Sequence, residues 1–182
     1  MKKVVIAGVE STGKSTMTEY LSQHFACPFL PEYARIYLDE HGSDYSYTDF
    51  IKIAQGQALT EDEFILKHES KQLGIFDTDF LVINIWAKVV FDKVEDWIRE
   101  RMLANKADLY LLLSPEVEWV SDGMREYPDQ QLRNELHLKY IHQMELNHFN
   151  FRIIGSNDYT LREKTAVSYI EQLIIGSGDS HH

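Results

Sequence analysis

With 182 residues, 44% of them apolar, the chain is long enough for one sizeable core and short for two. Acidic residues outnumber basic ones 29 to 18, for a formal net charge of −11, and no run of lysine or arginine interrupts that balance. The pattern argues against a nucleic-acid or anionic-membrane surface and favours solubility. The one cysteine, Cys27, has no partner for a bridge and is expected to be a buried, inert thiol. The eight histidines give no HExxH or paired-ligand spacing. No stretch approaches the roughly 20 apolar residues of a membrane span or has the layout of a signal peptide, so a reducing cytoplasm is the expected location.

In chain order, "KVVIA" at 3–7 is a β-branched strand that ends at Gly8, and "KSTMTEYLSQHF" follows with apolar residues at helical spacing. "CPFLPEYAR" is a short extended piece bracketed by Pro28 and Pro31, with helix resuming near Glu32. Helix is predicted from Thr48 to His68, a buried strand at "LGIFDTD", and an interior helix at "FLVINIWAKVVF" that continues through "VEDWIRERMLANK". "DLYLLLS" is another strand too apolar to have an exposed face. After the turn-rich "PEVEWVSDGMREYPDQ", a helix from Gln131, the strand "FRIIG" and a last helix from Thr160 complete the pattern. Alternating β and α implies an α/β domain over residues 1–175, with about five parallel strands covered on both faces. The polar "GSGDSHH" at 176–182 is expected to be a disordered tail.

"GVESTGKST", from Gly8 to Thr16, satisfies the G-x-x-x-x-G-K-[ST] pattern between a strand and a helix, the context a phosphate loop needs. Gly8 and Gly13 permit the tight path that turns N–H groups, including those of Glu10, Ser11, Thr12 and Thr16, towards phosphate oxygens at the positive end of the following helix. Lys14 can reach the β- and γ-phosphates and Ser15 can ligate magnesium, which makes ATP and Mg2+ the expected cofactors. "NKAD" at 105–108 looks like a guanine-reading signature but precedes a strand instead of following one, and is read as a helix end.

Acids stand at the ends of the strands expected beside the first: Glu32 in "PEYAR", and Asp77 and Asp79 in "DTD". In a parallel sheet such strand ends converge on the ligand crevice. Phosphoryl transfer to an alcohol needs positioning, charge neutralisation and a group to take the hydroxyl proton. Asp77 is the expected magnesium acid. Glu32 and Asp79 are candidates to hold acceptor hydroxyls, one of them as base, with a helix cap as the alternative for Asp79. Arg35, three residues after Glu32, either serves the substrate or pairs with Glu32. In "EWVSDGMREYPD" a glycine-containing loop carries Trp119, Asp122 and Arg125, the layout of a lid that excludes water and neutralises developing charge.

Together, "GVESTGKST", "PEYAR", "DTD" before an apolar helix, and "WVSDGMR" resemble the ribosylnicotinamide (nicotinamide riboside) kinase domain of the NadR type, over most of residues 3 to 175. The resemblance implies a P-loop nucleotide-kinase fold with a lid, and ATP-dependent phosphorylation of the ribose 5′-hydroxyl of nicotinamide riboside to nicotinamide mononucleotide, a step of NAD biosynthesis. It implies that Arg125 is a phosphate ligand, and that "PEYAR" and "DTD" supply the acceptor and metal acids. A pyridine ring would suit an aromatic clamp, with Trp86, Trp119 and Tyr33 as walls, although Trp86 also fits simple core packing. The chain begins one strand before the phosphate loop without an HxGH signature, so the adenylyl-transfer step is expected of another protein. A kinase for another nucleoside or nucleotide, or a nucleotide-dependent regulatory module, are the competing readings; the partner expected is a small-molecule nucleoside, and the sequence leaves the oligomeric state open.

Overall fold

A computed structural model describes residues 1–116 and 129–176. Its elements are β1 (Lys2–Ala7), α1 (Lys14–His24), β2 (Phe29–Leu30), α2 (Tyr33–His41), α3 (Tyr47–Lys67), β3 (Leu73–Asp77), α4 (Phe80–Phe91), α5 (Asp96–Ala104), β4 (Leu109–Leu113), α6 (Gln130–Leu146), β5 (Phe151–Ile154) and α7 (Tyr159–Gly176). The five strands form one parallel sheet in the order β2-β3-β1-β4-β5. Ile6 lies opposite both Asp77 and Leu111, so β1 is central, and the sheet order reverses around it. That reversal opens a crevice at the carboxyl ends of β1 and β3.

The β1, β3 and β4 strands are apolar nearly throughout because both faces are covered. Val5, Ala7, Phe76, Tyr110 and Leu112 pack under α3 to α6, while Val4, Ile6, Ile75, Leu109 and Leu111 pack under α1 and α7. A smaller cluster of Ala34, Tyr37 and Ile53 fastens α2 to α3. Among the described helices none is long and apolar enough to cross a membrane.

The helix expected to run on through residues 94–106 breaks instead. Asp92 adopts a left-handed conformation at φ 51°, and α5 starts afresh after Glu95. The helix from Gln131 is also shorter than its pattern, because His148, at φ 54°, turns the chain into β5. Asn105 caps α5 and Asp108 accepts from the Lys3 backbone N–H at 2.7 Å, so "NKAD" is a helix end that anchors β1. Cys27 is half-buried where full burial was expected, and burial pushes its thiol up to about 11, which keeps it protonated and unreactive. The segment expected to be a tail, from residue 177 on, lies outside the described residues.

Candidate active site

The loop from Gly8 to Gly13 leaves the end of β1 and delivers the chain into α1. Gly13 is the N-cap of α1 at φ 83° and has no side chain with which to cap it, so first-turn N–H groups are left for a ligand. A Cβ on Gly13 would lie 2.6 Å from the Tyr159 hydroxyl; glycine is required both for its backbone angle and for its lack of bulk. Thr12, assigned to the nucleotide from the sequence, is buried and donates its hydroxyl to the Val9 carbonyl at 2.8 Å, so its side chain braces the loop. Arg133 of α6 is also fully buried and donates to the Ser11 carbonyl at 3.3 Å. Lys14 lies back along the loop, its Nζ donating to the Val9 carbonyl at 3.2 Å, a contact that a phosphate oxygen can take over.

Ser15 donates to Asp77 Oδ2 at 2.6 Å, joining the first turn of α1 to the end of β3. Asp77 is 3% exposed, and its Oδ1 is buried with no hydrogen-bond partner among the described residues. A buried carboxylate oxygen without a donor, beside a hydroxyl, fits a hard cation such as magnesium, which takes one or two protein oxygens and fills the rest with water or phosphate. Among the described residues no cluster of three His, Cys, Asp or Glu side chains offers an all-protein cage. Burial pushes the Asp77 carboxyl above its usual range, while Lys14, the Ser15 hydrogen bond and Arg35 oppose the rise.

Glu32 is the N-cap residue of α2, but its side chain caps nothing and faces the cleft. Burial raises its carboxyl above the ordinary value; Lys14 and Arg35 work against the shift and the Asp77 charge adds to it. Arg35 is exposed and lines the same cleft. Phosphate loop and Glu32 therefore meet in one cavity of about 450 Å³, which also takes in Glu10 and Thr16, with Asp77 behind its wall through the bond to Ser15.

Beyond the acids the cavity turns apolar, walled by Ala34, Leu38, Val82, Ile85, Trp86 and Val89. Trp86 serves both as wall and as core. Its ring packs edge-on to Phe50 and to Tyr45, and its Nε1 donates to the Tyr45 hydroxyl at 2.8 Å.

Two sequence assignments place elsewhere. Asp79 is 2% exposed and has both oxygens engaged inside the fold, one capping α4 at Leu81 N and the other accepting from the Tyr110 hydroxyl, so it faces away from the cleft. Tyr33 lays its ring on Gly56 of α3, where a Cβ would come within 2.0 Å, and its backbone N–H bonds Gln57; it fastens α2 and is not a wall of the cavity. Trp119, Asp122 and Arg125 lie outside the described residues. The sequence did not single out Tyr45, Arg133 or Tyr159. Tyr45 sits in an aperiodic loop, and an arginine within a polar helix reads as a solvated face until the fold closes over it.

The sequence model of the AAA domain family matches residues 3–162. The chain belongs to that family. It is 29% identical over 178 residues to the trifunctional NAD biosynthesis/regulator protein NadR of Escherichia coli (strain K12), covering 96% of this chain and 43% of that protein. The NadR of Salmonella typhimurium is 28% identical over the same share. The chain thus spans less than half the length of these relatives. Among solved structures, NadR in complex with NR superposes with a TM-score of 0.83 at 24% identity, covering 95% of this chain and 51% of that one. A deoxyadenosine kinase from M. mycoides follows at 0.64 and 16%, covering 93% of this chain and 99% of that one. These likenesses show the fold, a P-loop fold of the nucleoside-kinase type.

Proposed function

We propose that this chain is an ATP-dependent kinase that phosphorylates the ribose 5′-hydroxyl of nicotinamide riboside to give nicotinamide mononucleotide. The observation that carries the reading is that one cavity joins a braced phosphate loop, the Ser15 hydroxyl bonded to Asp77, and the Glu32 carboxylate to an aromatic and aliphatic chamber. A module that only bound nucleotide would have no use for a second chamber facing the transferable phosphate. The acceptor is taken from the relatives, one named for NAD biosynthesis and one solved with NR.

In this reading the loop N–H groups and Lys14 hold the triphosphate, with Lys14 released from the Val9 carbonyl. Ser15 and Asp77 are the residues that would hold magnesium, which supplies charge neutralisation at the β- and γ-oxygens when bound. Glu32, with its raised carboxyl pKa, accepts the 5′-hydroxyl proton as that oxygen bonds to the γ-phosphorus and the bond to the β-phosphate oxygen breaks, releasing ADP. Trp86 and Tyr45 supply the aromatic surface for the pyridine ring. From the sequence motif alone, Arg125 is assigned to the transferring phosphoryl group.

The test is to incubate the chain with magnesium, ATP and nicotinamide riboside, and to follow the products by mass spectrometry. Formation of nicotinamide mononucleotide in step with ADP supports the reading. ADP formed only by hydrolysis, with the riboside recovered intact, contradicts it.

A further inference from the structure

Asp77 is joined to α4 by Thr78 and Asp79, the first in a demanding conformation. Thr78 is buried, β-branched and held at φ 70°, a left-handed backbone that costs such a residue energy and persists only when its surroundings impose it. Its N–H donates to the Ile6 carbonyl at 3.1 Å, which fixes one side of the turn. The other side is fixed through Asp79. One oxygen of that carboxylate accepts from Leu81 N at 2.9 Å, and the other accepts from the Tyr110 hydroxyl at 2.8 Å. Lys3 Nζ stands 3.5 Å from the same Asp79 oxygen and 3.5 Å from Glu61, itself held by Gln57 at 3.0 Å. The Tyr110 hydroxyl in turn accepts from Ala107 N at 3.2 Å, so its proton is directed to Asp79. A single carboxylate two residues from Asp77 is thus tied to α4, β4 and β1, at nearly complete burial.

A network of this kind is costly to bury and is not needed to cap a helix, for which Leu81 N alone would serve. We propose that Asp79, clamped by Tyr110 and Lys3, is a positioning residue: it holds the Thr78 turn so that the Asp77 carboxylate stays facing Ser15 with its second oxygen free for a divalent cation. The clamp touches neither substrate nor phosphate and acts on the cation site from behind. The proposal rests on reading the Ser15–Asp77 pair as the magnesium site of a nucleotide-binding cleft, and does not depend on which acceptor is phosphorylated.

The experiment uses the whole chain without acceptor, and measures ATP binding by calorimetry in magnesium and in EDTA. The ratio of the two dissociation constants reports the cation site, and thermal melting reports the fold. Tyr110→Phe removes one hydroxyl from the clamp, and Lys3→Met removes its charge. Substitution of groups that orient a metal ligand commonly lowers metal affinity about 10- to 100-fold. Tyr110→Phe is expected to lower the magnesium enhancement about tenfold while leaving ATP binding in EDTA within about twofold of the parent. Lys3→Met is expected to act in the same direction, and is read alone if the tyrosine variant does not fold. A folded variant that melts lower but keeps the parent's magnesium enhancement would show that the network only stabilises the fold, and would overturn the proposal. A parent whose ATP binding gains nothing from magnesium would overturn the cation site and the clamp together.

Discussion

Replacing Asp77 with asparagine separates what the carboxylate does to the fold from what it does for the chemistry. Asp77 is a 3% exposed carboxylate with one oxygen lacking a donor among the described residues, and burial lifts its pKa. Asparagine keeps the shape and an acceptor for the Ser15 hydroxyl, and removes the buried charge. A buried acceptor left unsatisfied costs about 1–3 kcal/mol, and a charge-assisted hydrogen bond of the Ser15 kind contributes about 1.5–3 kcal/mol in the opposite sense. The two nearly cancel, so Asp77→Asn without nucleotide should melt within about 4 °C of the parent, equivalent to about 1 kcal/mol for a domain of this size. Activity should respond very differently. Asp77 would act through the cation it holds, and losing an electrostatic contribution of that size costs about 3 kcal/mol, or about a hundredfold in kcat, while saturation in magnesium should require more of the ion. The assay pairs thermal melts without nucleotide with coupled ADP release at varied magnesium. A kcat within about threefold of the parent, or a defect in melting temperature that accounts for the lost activity, would refute the reasoning.

Lys14→Ala should abolish phosphoryl transfer and leave the melting temperature nearly unchanged, since among the described residues the hydrogen bond of Lys14 Nζ goes to a loop carbonyl; ADP release at the parent's rate by the folded variant would contradict this. Glu32→Gln should damage turnover or the KM for the acceptor while ATP binding measured by calorimetry stays close to that of the parent, and weakened ATP binding alone would move Glu32 to the nucleotide side of the cleft. Glu61→Gln carries a pH signature. Burial, partly opposed by Lys3, raises the Glu61 carboxyl above its ordinary 4.5, so between 4.5 and the raised value the folded chain keeps a proton that the unfolded chain has released. Stability of the parent must fall as pH rises through that window, and the glutamine variant should show a flatter curve of Tm against pH. Equal slopes in the two proteins would remove Glu61 as the source.

The parts of the molecule that are local in sequence were legible before the structure. The phosphate loop is one uninterrupted pattern between a strand and a helix, and strands buried on both faces read as plain apolar runs. Residues whose roles depend on distant partners were not. Asp79, an acid just beyond a strand end, fits either a substrate site or an internal cap; Tyr110, 31 positions away, decides it by reaching under α4. Tyr33 reads as an aromatic wall until Gly56 of α3 offers it a flat surface. Arg133 meets the Ser11 carbonyl across 122 positions, a contact that no spacing rule anticipates. Trp86 illustrates the middle case, where an apolar helix predicted the core packing, an aromatic side chain predicted the wall, and the geometry supplies both.

Competition among nucleosides decides whether nicotinamide riboside is the acceptor. Nicotinamide riboside, uridine, cytidine, adenosine and deoxyadenosine are offered together at equal concentration with magnesium and ATP, and the monophosphates formed early in the reaction are counted by mass spectrometry, which gives the ratios of kcat/KM. Nicotinamide mononucleotide should be the main product, phosphorylated at the 5′ position, and Trp86→Ala should erode that preference. A common nucleoside as the main product, with no nicotinamide mononucleotide formed, would contradict it.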